Sequence, residues 1–134
     1  MNIVYKDIKE LPVDALSQLF LSVEWSSGNY PERLRIAMQN SDAVYTAWDN
    51  EKLVGLINSM SDGIMNAYFQ YLVVRPDYQG KGIGKQLVSY MLERYETYLR
   101  KTLIAYDTAE KFYCKCGFTA GTNTIPMSVT TFNT

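Results

Sequence analysis

Gln79-Gly80-Lys81-Gly82-Ile83-Gly84 is the stretch on which the fold turns. Three glycines alternate here, after a strand-like run that stops at Pro76 and before the clearest helical pattern in the chain. A helix N-terminus carries unpaired backbone amides and the positive end of the helix dipole. Glycines let that backbone approach an anion closely, and Lys81 and Lys85 add positive charge. The stretch therefore predicts a turn that opens a helix and cradles the phosphates of a nucleotide-like cofactor. Two familiar phosphate loops do not fit. A P-loop needs Gly-Lys-Ser/Thr after four free positions, and the dinucleotide fingerprint G-x-G-x-x-G fails because position 85 is Lys. From the glycines alone, a tight turn with close helix packing explains the pattern equally well.

Downstream, Ile83, Leu87, Val88, Met91, Leu92 and Tyr95 recur at helical spacing. Upstream, Ala43 to Trp48, Leu53 to Ser59 and Ile64 to Val74 read as three strands of an antiparallel meander. Asp49-Asn50-Glu51-Lys52 and Asp62-Gly63 supply its turns. Ile3 to Tyr5 reads as a first strand. A helix with Pro12 in its first turn buries Leu16, Leu19, Phe20 and Val23, and a second opens at Pro31 with Leu34, Ala37 and Met38 inward. Thr102 to Tyr106 reads as a further strand. Asp107 and Glu110 have capping-box spacing for a short helix over 108–116, which Gly117 ends. Ile125 to Phe132 reads as a last strand. The expected order is strand, two helices, three antiparallel strands, helix, strand, helix, strand.

The chain has 134 residues, 47% hydrophobic and 20% charged, which suits a single domain spanning 1–134 with its own core. A net charge of −1 argues against nucleic acid as a partner. No apolar run approaches a membrane span and no signal-peptide pattern opens the chain, so a cytoplasmic location is expected. There is no histidine. That removes the commonest base near neutral pH and most catalytic zinc sites, so no metal is expected. Cys114 and Cys116 point apart on a helix and do not form a metal pair.

With these elements placed, the sequence resembles the GNAT superfamily of acetyl-CoA-dependent N-acetyltransferases. Gln79 to Gly84 matches the family's Gln/Arg-x-x-Gly-x-Gly/Ala signature. The approach Leu72-Val73-Val74-Arg75-Pro76-Asp77-Tyr78 and the continuation Lys85-Gln86-Leu87-Val88 are similar to the family pattern. A second block, Ala109 to Phe118, resembles its A-x-x-F-Y-x-x-x-G-F segment. The resemblance implies an α/β (α+β mixed) fold: a central, twisted, mostly antiparallel sheet of six to seven strands with four helices, strands 4 and 5 splayed apart at a bulge.

The resemblance also implies roles. Gln79, Gly80, Lys81, Gly82, Ile83, Gly84 and Lys85 would hold the pyrophosphate of acetyl-CoA. Leu72, Val73 and Val74 would run beside its pantetheine arm, with the Leu72 amide on the thioester carbonyl in oxyanion fashion. Phe112 and Tyr113 would flank the cofactor, and Tyr113 would protonate the departing thiolate. Leu72 and Tyr113 are thus the candidate catalytic residues. For the acceptor, Trp25, Tyr30, Trp48, Tyr68, Gln70 and Met127 are the candidate lining. Glu24 and Asp62 are candidate helpers in deprotonating it. Two positions depart from the family. Tyr68 stands where several relatives have a glutamate, and Tyr106 where an Asn is frequent. The implied activity is acetyl transfer to the primary amine of a small molecule. A protein or peptide acetyltransferase and a non-catalytic acyl-CoA-binding protein are the alternatives. A homodimer is common in the family, and the last strand offers an edge for it.

Overall fold

The computed structural model describes residues 1–132. Five strands, β1 (Ile3–Asp7), β2 (Ala43–Asp49), β3 (Lys52–Ser61), β4 (Asn66–Val74) and β5 (Arg100–Leu103), form one sheet in sequential order. Its first three junctions are antiparallel and the last, β4 to β5, is parallel. The helices are α1 (Val13–Ser22), α2 (Pro31–Asn40), α3 (Ile83–Arg94) and α4 (Glu110–Lys115).

The sheet buries both faces, which explains the near-continuous apolar run in β3, with Leu53 to Ser59 buried without a break. On one face Leu16, Leu19, Phe20, Leu34 and Met38 from α1 and α2 pack against Val44, Trp48, Leu56 and Val73. On the other, Ile83, Leu87, Val88 and Met91 of α3 pack against Ala47, Val54, Ile57 and Phe69. Gly55 permits that second contact: a Cβ there would lie 3.2 Å from both Ile83 and Leu87 side chains.

A β-bulge decides how β4 presents itself. Ile57 pairs with Leu72 and Ser59 with Phe69, so Asn58 alone faces both Gln70 and Tyr71. The extra residue leaves the Tyr71 amide without a ladder acceptor, and Asn58 Oδ1 takes it at 2.9 Å. Asn58 is itself buried and donates to Ser41 Oγ at 3.1 Å. One inserted residue reverses the side-chain alternation. Before the bulge, odd-numbered Ala67 and Phe69 face α3; after it, Leu72 and Val74 do, and Tyr71 and Val73 turn toward α1.

Beneath α3, the buried Tyr95 hydroxyl donates to Asp42 Oδ2 at 2.5 Å and lies 2.6 Å from Ser59 Oγ. This ties the end of α3 to the edge of β2. Tyr95→Phe should destabilise the protein by about 1.5–3 kcal/mol, the range for hydrogen bonds to a charged group. Urea unfolding would check this, and an unchanged midpoint would contradict it.

Several expectations need correction. The sheet has five strands among the described residues, not six to seven. Ile125 to Phe132 makes no strand; Ile125, Met127 and Val129 are almost fully exposed, so the edge expected for pairing between copies is not formed. β5 stops at Leu103, and Ile104 to Tyr106 leave the sheet. Pro12 caps α1 instead of entering its first turn, and Ala37 is exposed. The capping box at Asp107 and Glu110 does not form: Asp107–Ala109 is a 3₁₀ turn, and α4 begins at Glu110 without a side-chain cap. Gly117 does end α4, at φ 104°. No described helix is long and apolar enough to cross a membrane.

Candidate active site

The glycine turn follows β4 through a 3₁₀ turn at Pro76–Tyr78. Gln79 Nε2 donates to the Val74 carbonyl at 2.9 Å, which folds the chain back on the strand it has just left. Gly80 and Gly82 then adopt φ 75° and 84°, in the left-handed region where a Cβ is strained. Gly82 caps α3, and the first intrahelical bond runs from the Gln86 amide to the Gly82 carbonyl. The amides of Ile83, Gly84 and Lys85 precede that bond and have no acceptor within the helix. A Cβ added at Gly80 or Gly82 would meet nothing within 4 Å. Backbone geometry therefore requires these two glycines, and the space over them is open. Gly84 differs: its Cβ would lie 3.4 Å from Phe112 and 3.7 Å from Val74. Phe112 on α4 thus closes over the start of α3 beside β4. Lys81 and Lys85 are exposed, whereas Ile83 is buried in the core below.

β4 and β5 separate past Phe69. Their pairing runs from Asn66 with Arg100 to Phe69 with Leu103 and ends there. From Gln70 onward, the β5-facing edge of β4 has no strand partner. A cleft of about 690 Å³ opens in the gap. Leu72 and Gln70 from β4, Ile104 to Tyr106 beyond β5, and Tyr113 from α4 line it. Tyr113 is half-buried between the rings of Phe112, at 5.0 Å, and Phe118, at 5.8 Å. Its hydroxyl has no hydrogen-bond partner among the described residues. Desolvation, with a smaller push from Cys116, raises its pKa to about 12. The phenol stays protonated, a donor, throughout the neutral range.

Trp25, Tyr68 and Tyr71 also line the cleft. Burial also raises the Tyr68 pKa, with Tyr71 adding to it. Trp25, Tyr68 and Gln70 are therefore brought together with Leu72 and Tyr113, as the sequence led us to expect. Tyr30 is not: it stacks on Phe132 at 5.4 Å, under the Arg33 guanidinium, outside the cleft lining. Trp48 is a core residue, and Met127 points to solvent. Asp62 belongs to the β3–β4 turn, where its carboxylate accepts the amides of Ile64, Met65 and Asn66. Those bonds hold its pKa well below the usual carboxylate range and make it a poor base. Neither Asp62 nor Glu24 lines the cleft.

Sequence reasoning missed Asn58 and Tyr71. The signal for Asn58 was available: it is an amide directly after the apolar run Val54-Gly55-Leu56-Ile57, where a buried polar group needs a partner. Tyr71 was hidden because the bulge breaks the alternation that would have assigned its face.

Comparison with known proteins agrees with this geometry. The profile of the acetyltransferase (GNAT) domain matches residues 15–128. The uncharacterized N-acetyltransferase ycf52 of Pyropia yezoensis is 32% identical over 128 residues, 87% of this chain and 73% of that protein. A GNAT family acetyltransferase of Streptococcus pneumoniae TIGR4 superposes with a TM-score of 0.80 at 28% identity, covering 95% of this chain and 98% of the other. An aminoglycoside acetyltransferase from an uncultured soil metagenomic sample, solved with sisomicin, shares the fold at a TM-score of 0.73 and 23% identity, over 96% and 95% of the two chains. The splayed sheet, the glycine turn that caps α3 and the match over most of the chain lead to one conclusion: this protein belongs to the GNAT family of acetyltransferases.

Proposed function

We propose that the protein transfers an acetyl group from acetyl-CoA to the primary amine of a small molecule by direct attack. The observation that carries this reading is the alignment of three features along one path. Open, left-handed glycines sit at the start of α3, an unpaired edge of β4 leads away from them, and a protonated tyrosine lines the same cleft as that edge.

Residues at the turn suit the donor. Strain-free left-handed glycines, free amides and two exposed lysines match a pyrophosphate, with Gln79 holding the shape and Phe112 flanking it. Acetyl-CoA supplies the activated acyl thioester. The protein's own groups do the rest. Val73 and Val74 position the unpaired edge for the pantetheine arm. The Leu72 amide offers a hydrogen bond to the thioester oxygen, an interaction that strengthens as negative charge grows there. Tyr113 Oη holds the proton that the departing sulfur requires. Trp25, Tyr68 and Gln70 orient the amine.

No carboxylate or histidine lines the cleft among the described residues, so the amine's proton goes to water. This fixes a pH dependence. The kcat/KM should rise about tenfold per pH unit toward the amine's own pKa, about 10.4 for a lysine-like amine. The sign for Tyr113 is the opposite: its raised pKa keeps the donor form intact below about 12, so it adds no falling limb. Initial rates between pH 6 and 9.5 check this. A plateau above neutral pH would reveal a base on the protein, and a bell would reveal an acid with a lower pKa.

The basic test is release of free thiol from acetyl-CoA over a panel of amines. Turnover of small amines supports the proposal. CoA binding with no turnover of any amine would favour the non-catalytic alternative, and preference for a peptide would favour the protein acetyltransferase.

A further inference from the structure

The 690 Å³ cleft carries no formal charge: no Asp, Glu, Lys or Arg lines it among the described residues, although 20% of the chain is charged. Aromatic rings take the place of charges. Trp25 lies 6.1 Å from Tyr71 with 36° between ring planes, and 6.5 Å from Tyr106 at 55°. Phe20 braces the group from behind, edge-on to Tyr71 at 4.9 Å and to Trp25 at 6.1 Å. Ser27 Oγ and Tyr71 Oη, 2.9 Å apart, fix the tyrosine ring from α1's side of the sheet. Arg100, Lys101, Asp107 and Glu110 line an adjoining space beyond β5, which shares Tyr68, Tyr106 and Tyr113 with the cleft.

These facts constrain the acceptor. An ammonium moved into this cleft loses water and gains no carboxylate. Aromatic faces can hold one cation loosely, yet they do not compensate several. The same uncharged walls favour the neutral amine, which is the nucleophile. They also offer flat surface to a flat, apolar body.

We propose that the acceptor is an arylalkylamine: one primary amine on a short alkyl chain, carried by an aromatic ring, with no second charge. The inference rests on the acetyl-transfer reading and narrows it. The ring packs against Trp25, Tyr71 and Tyr106, and the amine reaches toward Leu72 and Tyr113. In the step itself an N–C bond forms to the acyl carbon and the C–S bond breaks. The amine gives one proton to water, the thiolate receives one from Tyr113, and the tyrosinate recovers its proton from water. Polyamines, aminoglycosides and lysine-rich peptides bring further ammonium groups that the cleft does not neutralise.

The test is thiol release by the full chain with acetyl-CoA and tryptamine, phenethylamine, spermidine, sisomicin or a lysine-containing peptide. Tryptamine and phenethylamine should give kcat/KM at least about tenfold above the polycations, the scale set by one unpaired charge. Trp25→Ala should raise KM for tryptamine with a smaller change in kcat, and Trp25→Phe should restore much of it. Gln70→Glu, which places a carboxylate on the lining, should shift preference toward spermidine by about tenfold. Preference of the unaltered protein for spermidine or sisomicin would overturn this inference and leave acetyl transfer standing. Absence of thiol release with every amine would overturn the reading beneath it.

Discussion

Tyr113→Phe should lower kcat by about 100-fold or more while leaving CoA affinity within a few-fold of the original. The substitution removes one oxygen and keeps the ring that packs between Phe112 and Phe118. That oxygen has no partner among the described residues, so its loss leaves no buried group stranded, and the fold should be no less stable. Its raised pKa, about 12, matters for the size of the effect. A phenol is a weak acid and a thiolate a better leaving group than most, so the proton transfer completes the step instead of driving it. General acid catalysis is typically worth about 10² to 10⁴, and the lower end is expected here. Steady-state kinetics with a fixed amine would read this directly. An unchanged kcat would reduce Tyr113 to a packing residue on α4.

Gly82→Asp should weaken CoA binding by about 100-fold or more, whereas Gly82→Asn should retain most of it. The pair separates charge from backbone strain. Gly82 sits at φ 84°, and Asn and Asp tolerate that conformation better than other residues with a Cβ. A Cβ there meets nothing within 4 Å, so both short side chains start from open space. Both should fold, losing about 1–2 kcal/mol at most to the left-handed conformation. Only Asp brings a negative charge to the place proposed for the phosphates. Two like charges about 4 Å apart repel by about 4 kcal/mol at an effective dielectric constant of 20. A hundredfold loss needs only part of that. Equal affinity of the two variants would mean that no phosphate approaches Gly82.

Most of the sheet was legible in the sequence because local signals and packing agreed. The apolar runs of β2, β3 and β4, the turn residues between them and the spacing of Ile83 to Met91 each point to the element observed. The glycine turn was legible for the same reason: left-handed backbone needs glycine, and only a few elements begin with such a cluster. Tertiary partners decided what was missed. Ile125 to Phe132 has strand composition, yet a strand exists only when a neighbour takes its hydrogen bonds, and no edge does so here. β5 ends at Leu103 because the gap from β4 removes its partner, a consequence of a bulge seated on Asn58 two strands away in sequence order from β5. The capping box at Asp107 failed because the chain turns as 3₁₀ before α4 begins. In the candidate site, the motif residues lie at the start of α3, for Gly82, and in the cleft lining, for Leu72 and Tyr113. Of the residues assigned by layout alone, Trp25, Tyr68 and Gln70 line the cleft and Tyr30, Trp48 and Met127 do not, since nothing in a sequence tells which side chain meets which cleft.

The turn at Gly80 to Gly84 is proposed to seat the phosphates of the acyl donor. Calorimetric titration of the unaltered protein with CoA and with pantetheine, which lacks those phosphates, tests it most directly. The account predicts that CoA binds at least about 100-fold more tightly, as several charge-assisted bonds to amides and lysines require. Equal affinity for the two, or no binding of CoA by the folded protein, would contradict it.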